Sequence, residues 1–223
     1  MLDLDVIWRN LPFLMLQGFL GIGNFVGGTL RLAIPSIILG FLLGIFIGIA
    51  RLAPQWWIRV PATVYVEFFR GVPLVMVIFW VWIVLPQLLR TPIPEFGVAL
   101  IAFVIFEAAY FGEIVRAGVQ SVPRGQVEAA TALGMTTTRT MVHVVLPQAL
   151  KNMVPSLVTQ MIVLFKDTSL ASIIGYVDLT KAAQIVNNRE IRPFELYLFI
   201  AVVYWLCTYS MSVFARRLER RTA

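Results

Sequence analysis

The run LAIPSIILGFLLGIFIGIA, Leu32 to Ala50, holds no charged residue over the length that crosses a bilayer. A segment of about 20 apolar residues in lipid must satisfy every backbone N–H and C=O internally, so it folds as a helix. Four more stretches carry the same constraint: Val72 to Leu89, Phe96 to Val119, Leu150 to Leu164 and onward to Tyr176, and Phe194 to Phe214. The chain is therefore an all-α membrane protein with about five transmembrane helices. Residues 1–223 form a single transmembrane domain. Composition agrees, with 59% hydrophobic and 13% charged residues and a mean hydropathy of +0.84, outside the range of soluble domains.

The net charge of +6 would point to nucleic acid in a soluble protein. Here the basic residues collect in loops, as the positive-inside rule requires, and no basic patch interleaved with exposed aromatics accompanies them. With the N-terminus outside, Arg51, Arg59, Arg116, Arg124, Arg139, Lys151, Arg216, Arg217, Arg220 and Arg221 fall on the inner side. Arg9, Arg90, Lys166, Lys181, Arg189 and Arg192 fall on the outer side, which favours N-out, C-in. Before the first span, Val6 to Leu20 reads as an interfacial helix and GIGNFVGGT, residues 21–29, as a glycine-rich hinge. The N-terminus lacks the basic start and small-residue cleavage site of a signal peptide, so the first span serves as its own insertion signal. Cys207, the sole cysteine, excludes an internal disulfide, and His143, the sole histidine, has no companion ligands for a metal.

Gly40, Gly44 and Gly48 recur every fourth residue of the first span, a small-residue ridge that admits a second helix at close range. Trp56 and Trp57 beside Arg59 read as an interfacial anchor.

Between the third and fourth apolar runs lies EAATALGMTTTRTMVHVVLP, residues 128–147, long enough to span but too polar to do so. Gln126 to Leu133 favours helix, Gly134 suits a left-handed stop, and Thr136 or Thr137 can cap a second helix ending at Pro147. The result is a helix–turn–helix knob within a loop at 121–148, on the cytoplasmic side in the favoured orientation.

The spacing within the knob is specific. Glu128-Ala129-Ala130, Gly134, Val144 and Leu146-Pro147 match the EAA motif of ATP-binding-cassette importer permeases, with valine at the position of isoleucine. YVEFFRGVPLVMVIFWVW, EAAYFGEIVRAGVQSVPRGQ and VLFKDTSLASIIGYVDLTKAA extend the resemblance to permeases for polar amino acids, most similar to the glutamate/aspartate branch. That resemblance implies the type I importer permease fold. It implies that the loop is a coupling helix seated on an ATPase subunit, with Glu128 paired to a basic group there and Gly134 allowing the close turn. The implied partners are a dimer of ATPase subunits, a second permease subunit (identical or homologous), an external amino-acid-binding protein and an amino acid. No phosphate-binding GxxxxGK[ST] loop occurs in the chain. The permease is therefore expected to bind no cofactor and catalyse nothing itself, with ATP and Mg held by the ATPase in a bacterial inner membrane.

Charges inside the spans cost about 2.5–3.5 kcal/mol each on insertion scales, which marks them for a role. Glu107 is the deepest: either it lines a substrate cavity, or it locks two helices, with Tyr110 one turn on. Glu67 and Arg70, and Glu113 and Arg116, stand at i, i+3, where they can pair as structural ion pairs. Arg70 is alternatively a fork for a substrate carboxylate or part of an inner gate. Lys166, Asp167, Thr168 and Ser169 interrupt the fourth span, where their hydroxyls and opposite charges can line a cavity mouth or break the helix at a gate; Lys166, Thr168 and Ser169 are pathway candidates, and Lys166 and Asp167 alternatively pair at the interface. The segment Tyr176 to Glu195, with Asn187 and Asn188 as turn formers, offers an outer platform for the binding protein. The alternative readings are an importer of the same kind for another polar amino acid (glutamine, histidine or arginine), and a secondary transporter coupled to ions, which leaves the EAA spacing unexplained.

Overall fold

The computed structural model describes residues 4–23 and 27–222, without the side chains of 218–222. Every regular element among them is helical. Helix α1 (Asp5–Pro12) runs directly into a π-helical stretch, Phe13–Leu20, and the two together form the expected N-terminal helix. Then follow α2 (Thr29–Leu52), α3 (Trp56–Gly71), α4 (Leu74–Leu89) and α5 (Glu95–Gln120). The polar loop holds α6 (Arg124–Ala132) and α7 (Thr137–Thr140). Beyond it lie α8 (Leu146–Asp167), a 3-10 stretch (Thr168–Ile174), α9 (Leu179–Glu190) and α10 (Pro193–Thr222).

Among the described residues, four helical segments are long and apolar enough to cross a membrane: Thr29–Leu52, Glu95–Gln120, Thr137–Ile174 and Pro193–Arg217. The second expected span, Val72 to Leu89, is different. α4 has only 16 residues and joins α3 at Gly71-Val72-Pro73 with a bend of 107°, so the pair forms a broken span or a re-entrant element. Pro73 accounts for the break, because it has no N–H to give and disfavours helix at Val72.

The core is the contact of α2 with α5. A Cβ placed on Gly44 would stand 2.5 Å from Phe111 Cβ, and one on Gly48 would stand 2.7 Å from the Gly112 carbonyl oxygen. The glycine ridge therefore lets the two spans touch backbone to side chain, as its spacing predicts. Leu32, Ala33, Phe103, Phe106 and Phe111 fill the interior, and the Phe41 and Phe111 rings meet edge-on at 5.7 Å.

Three expectations are corrected. The second helix of the loop does not stop at Pro147. It continues through a π-helical stretch, Met141–Val145, into α8, and Leu146 N–H bonds the Met141 carbonyl. Pro147 cannot bond the residue four before it, and the wider π turn ahead of it carries the helix through. The helix that carries the fourth span therefore begins in the loop, at Thr137, ahead of the expected Leu150. Asn187 and Asn188 lie inside α9, whose chain reverses only at Ile191 (φ 53°). Asn24, Phe25 and Val26, the middle of the expected hinge, lie outside the described residues. Its C-terminal flank is tied down: Gly28 N–H donates to the Val177 carbonyl at 2.8 Å, and Tyr176 Oη–H donates to the Gly28 carbonyl at 2.8 Å.

Beneath that flank sits a buried polar knot. Asp178 caps α9, accepting from Lys181 N–H at 2.8 Å and Thr180 N–H at 3.0 Å, and from Tyr204 Oη at 3.2 Å. Thr29 Oγ1 donates to the Gly18 carbonyl at 3.3 Å and accepts Leu179 N–H at 3.1 Å. The knot fastens α9, the N-terminal helix, α2 and α10 together at the end of the bundle opposite the loop.

Candidate functional site: a polar cavity joined to an exposed loop

The break between α3 and α4 opens a cavity of about 610 Å³. Arg70, Gly71, Val72, Pro73 and Leu74 form one wall, Phe106 and Tyr110 of α5 a second, and Gln160, Val163, Asp167 and Leu170 a third. The third wall follows directly from helical geometry, since residues 160, 163, 167 and 170 recur on one face. The Arg70 guanidinium lies 5.8 Å from the centre of the Tyr110 ring, where the ring face attracts a cation. A guanidinium and a carboxylate, Asp167, thus border one cavity. This is the charge pattern that suits a zwitterion.

Glu107 stands behind this wall. It is fully buried, and Gln160 Nε2 donates to its Oε2 at 2.9 Å. Its other oxygen has no hydrogen-bond partner among the described residues. The structure thus gives Glu107 the helix-locking contact, to Gln160 on α8 and not to Tyr110.

The ion pairs differ from the local ones expected. Glu67 pairs with Arg51 at 3.4 Å, and Arg70 pairs with Glu113 at 3.9 Å. Glu113 also holds Arg51 and Arg116, the latter through Nε at 2.9 Å, as the i, i+3 spacing anticipates. Arg51 carries the arrangement. Its side chain is only 8% exposed and bridges α2 to both α3 and α5, although the sequence reads as if it were an ordinary loop cation. Hydrogen bonding by Arg116, followed by the charges of Arg51, Arg116 and Arg70, leaves Glu113 saturated with cations.

Of the pathway candidates, Arg70 borders the cavity. Lys166 is exposed and outside its lining, Ser169 is half-buried, and buried Thr168 donates its hydroxyl to the Phe165 carbonyl at 2.7 Å. Asp167, expected either at the cavity mouth or paired with Lys166, lines the cavity, and no Lys166–Asp167 ion pair forms. Successive residues of a helix point about 100° apart, so the two cannot share a face. Tyr110 and Gln160 went unrecognised as lining residues. Neither bears a charge that would mark it inside an apolar run.

At the other end of α8, the loop presents its motif to solvent. Glu128, Ala129, Gly134, Leu146 and Pro147 are exposed, whereas Ala130 is buried and Val144 half-buried. Gly134 adopts φ +80° and ends α6, and Thr136 Oγ1 accepts Arg139 N–H at 3.4 Å to cap α7. His143 is exposed, with Nδ1 3.1 Å from the Arg139 carbonyl oxygen. No cluster of metal-ligating side chains occurs among the described residues.

Residues 37–223 match the family described as binding-protein-dependent transport system inner membrane component. The chain belongs to this family. The glutamate/aspartate import permease protein GltK of Escherichia coli O157:H7 is 40% identical over 205 residues, covering 87% of this chain and 90% of that one. The probable glutamine ABC transporter permease protein GlnP of Bacillus subtilis strain 168 is also 40% identical, over 86% of this chain and 89% of its own. A crystal structure of an amino acid ABC transporter with histidines superposes with a TM-score of 0.91 at 33% identity, covering 99% of both chains. The inward-facing MetNI methionine ABC transporter shares the fold at 19% identity, with a TM-score of 0.74 over 87% of this chain and 93% of that one. This binding-protein-dependent permease is therefore a polar amino-acid ABC permease of the type I importer fold, a multi-helix membrane transport component.

Proposed function

We propose that this chain is the transmembrane permease subunit of an ATP-driven importer for acidic amino acids, glutamate and aspartate, in a bacterial inner membrane. One observation carries the coupling. The exposed EAA-spaced loop runs without interruption from Thr137 into α8, the helix that supplies Gln160, Val163 and Asp167 to the cavity. A push on the loop is therefore a push on the cavity wall. In the N-out, C-in orientation the loop is cytoplasmic, where Glu128, Ala129, Gly134, Leu146 and Pro147 engage a dimer of ATPase subunits that holds ATP and Mg, and buried Ala130 supports them from within the chain.

Substrate recognition follows from the walls. Arg70 offers a bidentate fork for a carboxylate, and Asp167 meets an ammonium. The 40% identity to a relative named for glutamate and aspartate import supports a substrate with a second carboxylate. The relative named for glutamine at the same 40% identity makes the neutral amide the competing substrate.

The cavity also calls for a second permease subunit. Ser156, Thr159 and Lys166 are exposed along the face of α8 that borders Gln160 and Asp167, and Glu67 is exposed on α3. Lipid tails cannot satisfy such groups, so protein or water must cover them. The outer face of α10 is different, with Leu198, Val202, Trp205 and Leu206 exposed, and it suits lipid. An external binding protein delivers the amino acid to the end that carries α9.

The test is uptake of labelled glutamate into proteoliposomes holding the assembled complex, with and without ATP, in competition with each unlabelled amino acid. ATP-dependent uptake displaced best by glutamate and aspartate is the expected result. Uptake driven by an ion gradient without any ATPase overturns the reading, and preferential displacement by glutamine overturns the acidic assignment.

A further inference from the structure

Arg70 belongs to two sites at once. On one side its guanidinium borders the cavity, and on the other its Nη1 stands 3.9 Å from Glu113 Oε1. That is the longest of the three pairs Glu113 makes, since Arg51 and Arg116 hold the same carboxylate at hydrogen-bond distance. The cluster sets three guanidiniums, Arg51, Arg70 and Arg116, against two carboxylates, Glu67 and Glu113, and so carries one surplus positive charge. Arg51 is buried away from the cavity, and Arg116 is tied to Glu113 and Gln120 on its own helix. Arg70 is the one cation of the cluster that lines the cavity, with 39% of its side chain exposed.

Its place in the chain gives that freedom a consequence. Glu113 lies three residues nearer the loop end of α5 than Tyr110, so the Arg70–Glu113 pair lies at the loop-side edge of the cavity. Arg70 sits in the last turn of α3, immediately before the break at Gly71-Val72-Pro73. A Cβ on Gly71 would meet nothing within 4 Å, so the corner has room to move. A second side-chain tie between α3 and α5, Tyr65 Oη–H to the Ile105 carbonyl, lies more than one turn earlier on α3 and can serve as the pivot.

Resting on the transport reading above, we propose that Arg70 is a carboxylate-exchange latch: it ties α3 to α5 through Glu113 and lets go when a ligand carboxylate in the cavity takes its guanidinium. A substrate carboxylate and Glu113 then compete for one fork. Release of the corner between α3 and α4 becomes conditional on a ligand that bears a carboxylate.

The competition gives two variants opposite signatures. With the complete complex, its ATPase nucleotide-free, equilibrium binding of labelled glutamate should weaken about tenfold or more in Arg70→Gln, which removes a charge-assisted hydrogen bond. In Glu113→Gln it should tighten about two- to fivefold, because a half-exposed competing ion pair is removed. Both variants should raise ATP hydrolysis in the absence of glutamate toward the glutamate-stimulated rate. If Glu113→Gln does not assemble, Glu113→Asp, which draws the carboxylate back by one methylene, should shift binding the same way. Affinity that falls in both variants, or stays unchanged in both, overturns the latch. A wild-type complex that takes up glutamate with ATP yet binds none in this state also overturns it and leaves the transport reading intact. Failure of ATP-driven uptake strikes the transport reading itself.

Discussion

The Glu107 carboxylate of α5 and the Gln160 amide of α8 meet across the bundle at 2.9 Å, joining the two spans on either side of the polar loop. The pair ties a fully buried acid to a helix that lines the cavity. Removing one partner of a buried polar pair leaves the other to bear its desolvation, about 1–3 kcal/mol. Gln160→Leu should therefore lower the thermal unfolding midpoint of the detergent-solubilised protein. Glu107→Gln, which keeps a carbonyl acceptor for Gln160, should lower it less. Equal midpoints for Gln160→Leu and wild type would show that the contact holds nothing together.

The α2–α5 seam makes a sharper demand. A Cβ on Gly44 falls 2.5 Å from Phe111 Cβ and 3.0 Å from the Gly112 nitrogen, both on an inflexible helix. Gly44→Val must push the spans apart, at a cost of about 1–3 kcal/mol or more. Gly71→Ala meets open space and should leave the midpoint unchanged. Paired thermal-shift measurements on the two variants check the contrast.

What was legible in the chain, and what was not, divides along one line. Apolar runs and small-residue spacing are local signals, and they located α2, α5, α8, α10 and the Gly40–Gly44–Gly48 seam. α3 was legible only at its end, where Glu67 and Arg70 read as one helical face, because Arg59 and Pro61 make the rest look like a loop. Its charges are tolerated through partners far along the chain, 16 residues away for Glu67 with Arg51. The i, i+3 rule could only join Glu67 to Arg70, its nearest opposite charge. For the same reason Glu113–Arg116 was readable, whereas the Arg51 bridge and the cavity wall of Gln160 and Asp167 were not. Those depend on which helices pack, and no local spacing encodes that.

The loop offers a separation of stability from coupling. Glu128 is exposed on α6, so Glu128→Lys should move stability by no more than about 0.5 kcal/mol. Gly134 at φ +80° has open space around it, and Gly134→Ala costs only the left-handed strain of about 1–2 kcal/mol. Both variants should insert and fold. Both should lose most substrate-stimulated ATP hydrolysis in the reconstituted complex, because Glu128 and Gly134 belong to the proposed contact with the ATPase. Full stimulation in both variants would remove the loop from the coupling path.

Asp178 sets the pH response of the polar knot at the end of the bundle opposite the loop. Burial, partly offset by hydrogen bonds from Lys181, Thr180 and Tyr204, raises its carboxyl from the usual 3.8 to about 6. A raised folded value means that the folded state keeps the proton which the unfolded chain releases. Below pH 3.8 both states are protonated and the contribution is complete. Between 3.8 and about 6 it is lost progressively as pH rises, and above that both states are ionised. The total is on the order of 3 kcal/mol, at 1.36 kcal/mol per unit. Asp178→Asn keeps an oxygen to accept Lys181 N–H and cannot ionise. Its stability, measured by chemical unfolding in detergent at pH 4.5 and 7, should change less between the two pH values than that of the wild type. An identical pH slope in both proteins would show that Asp178 does not titrate on folding.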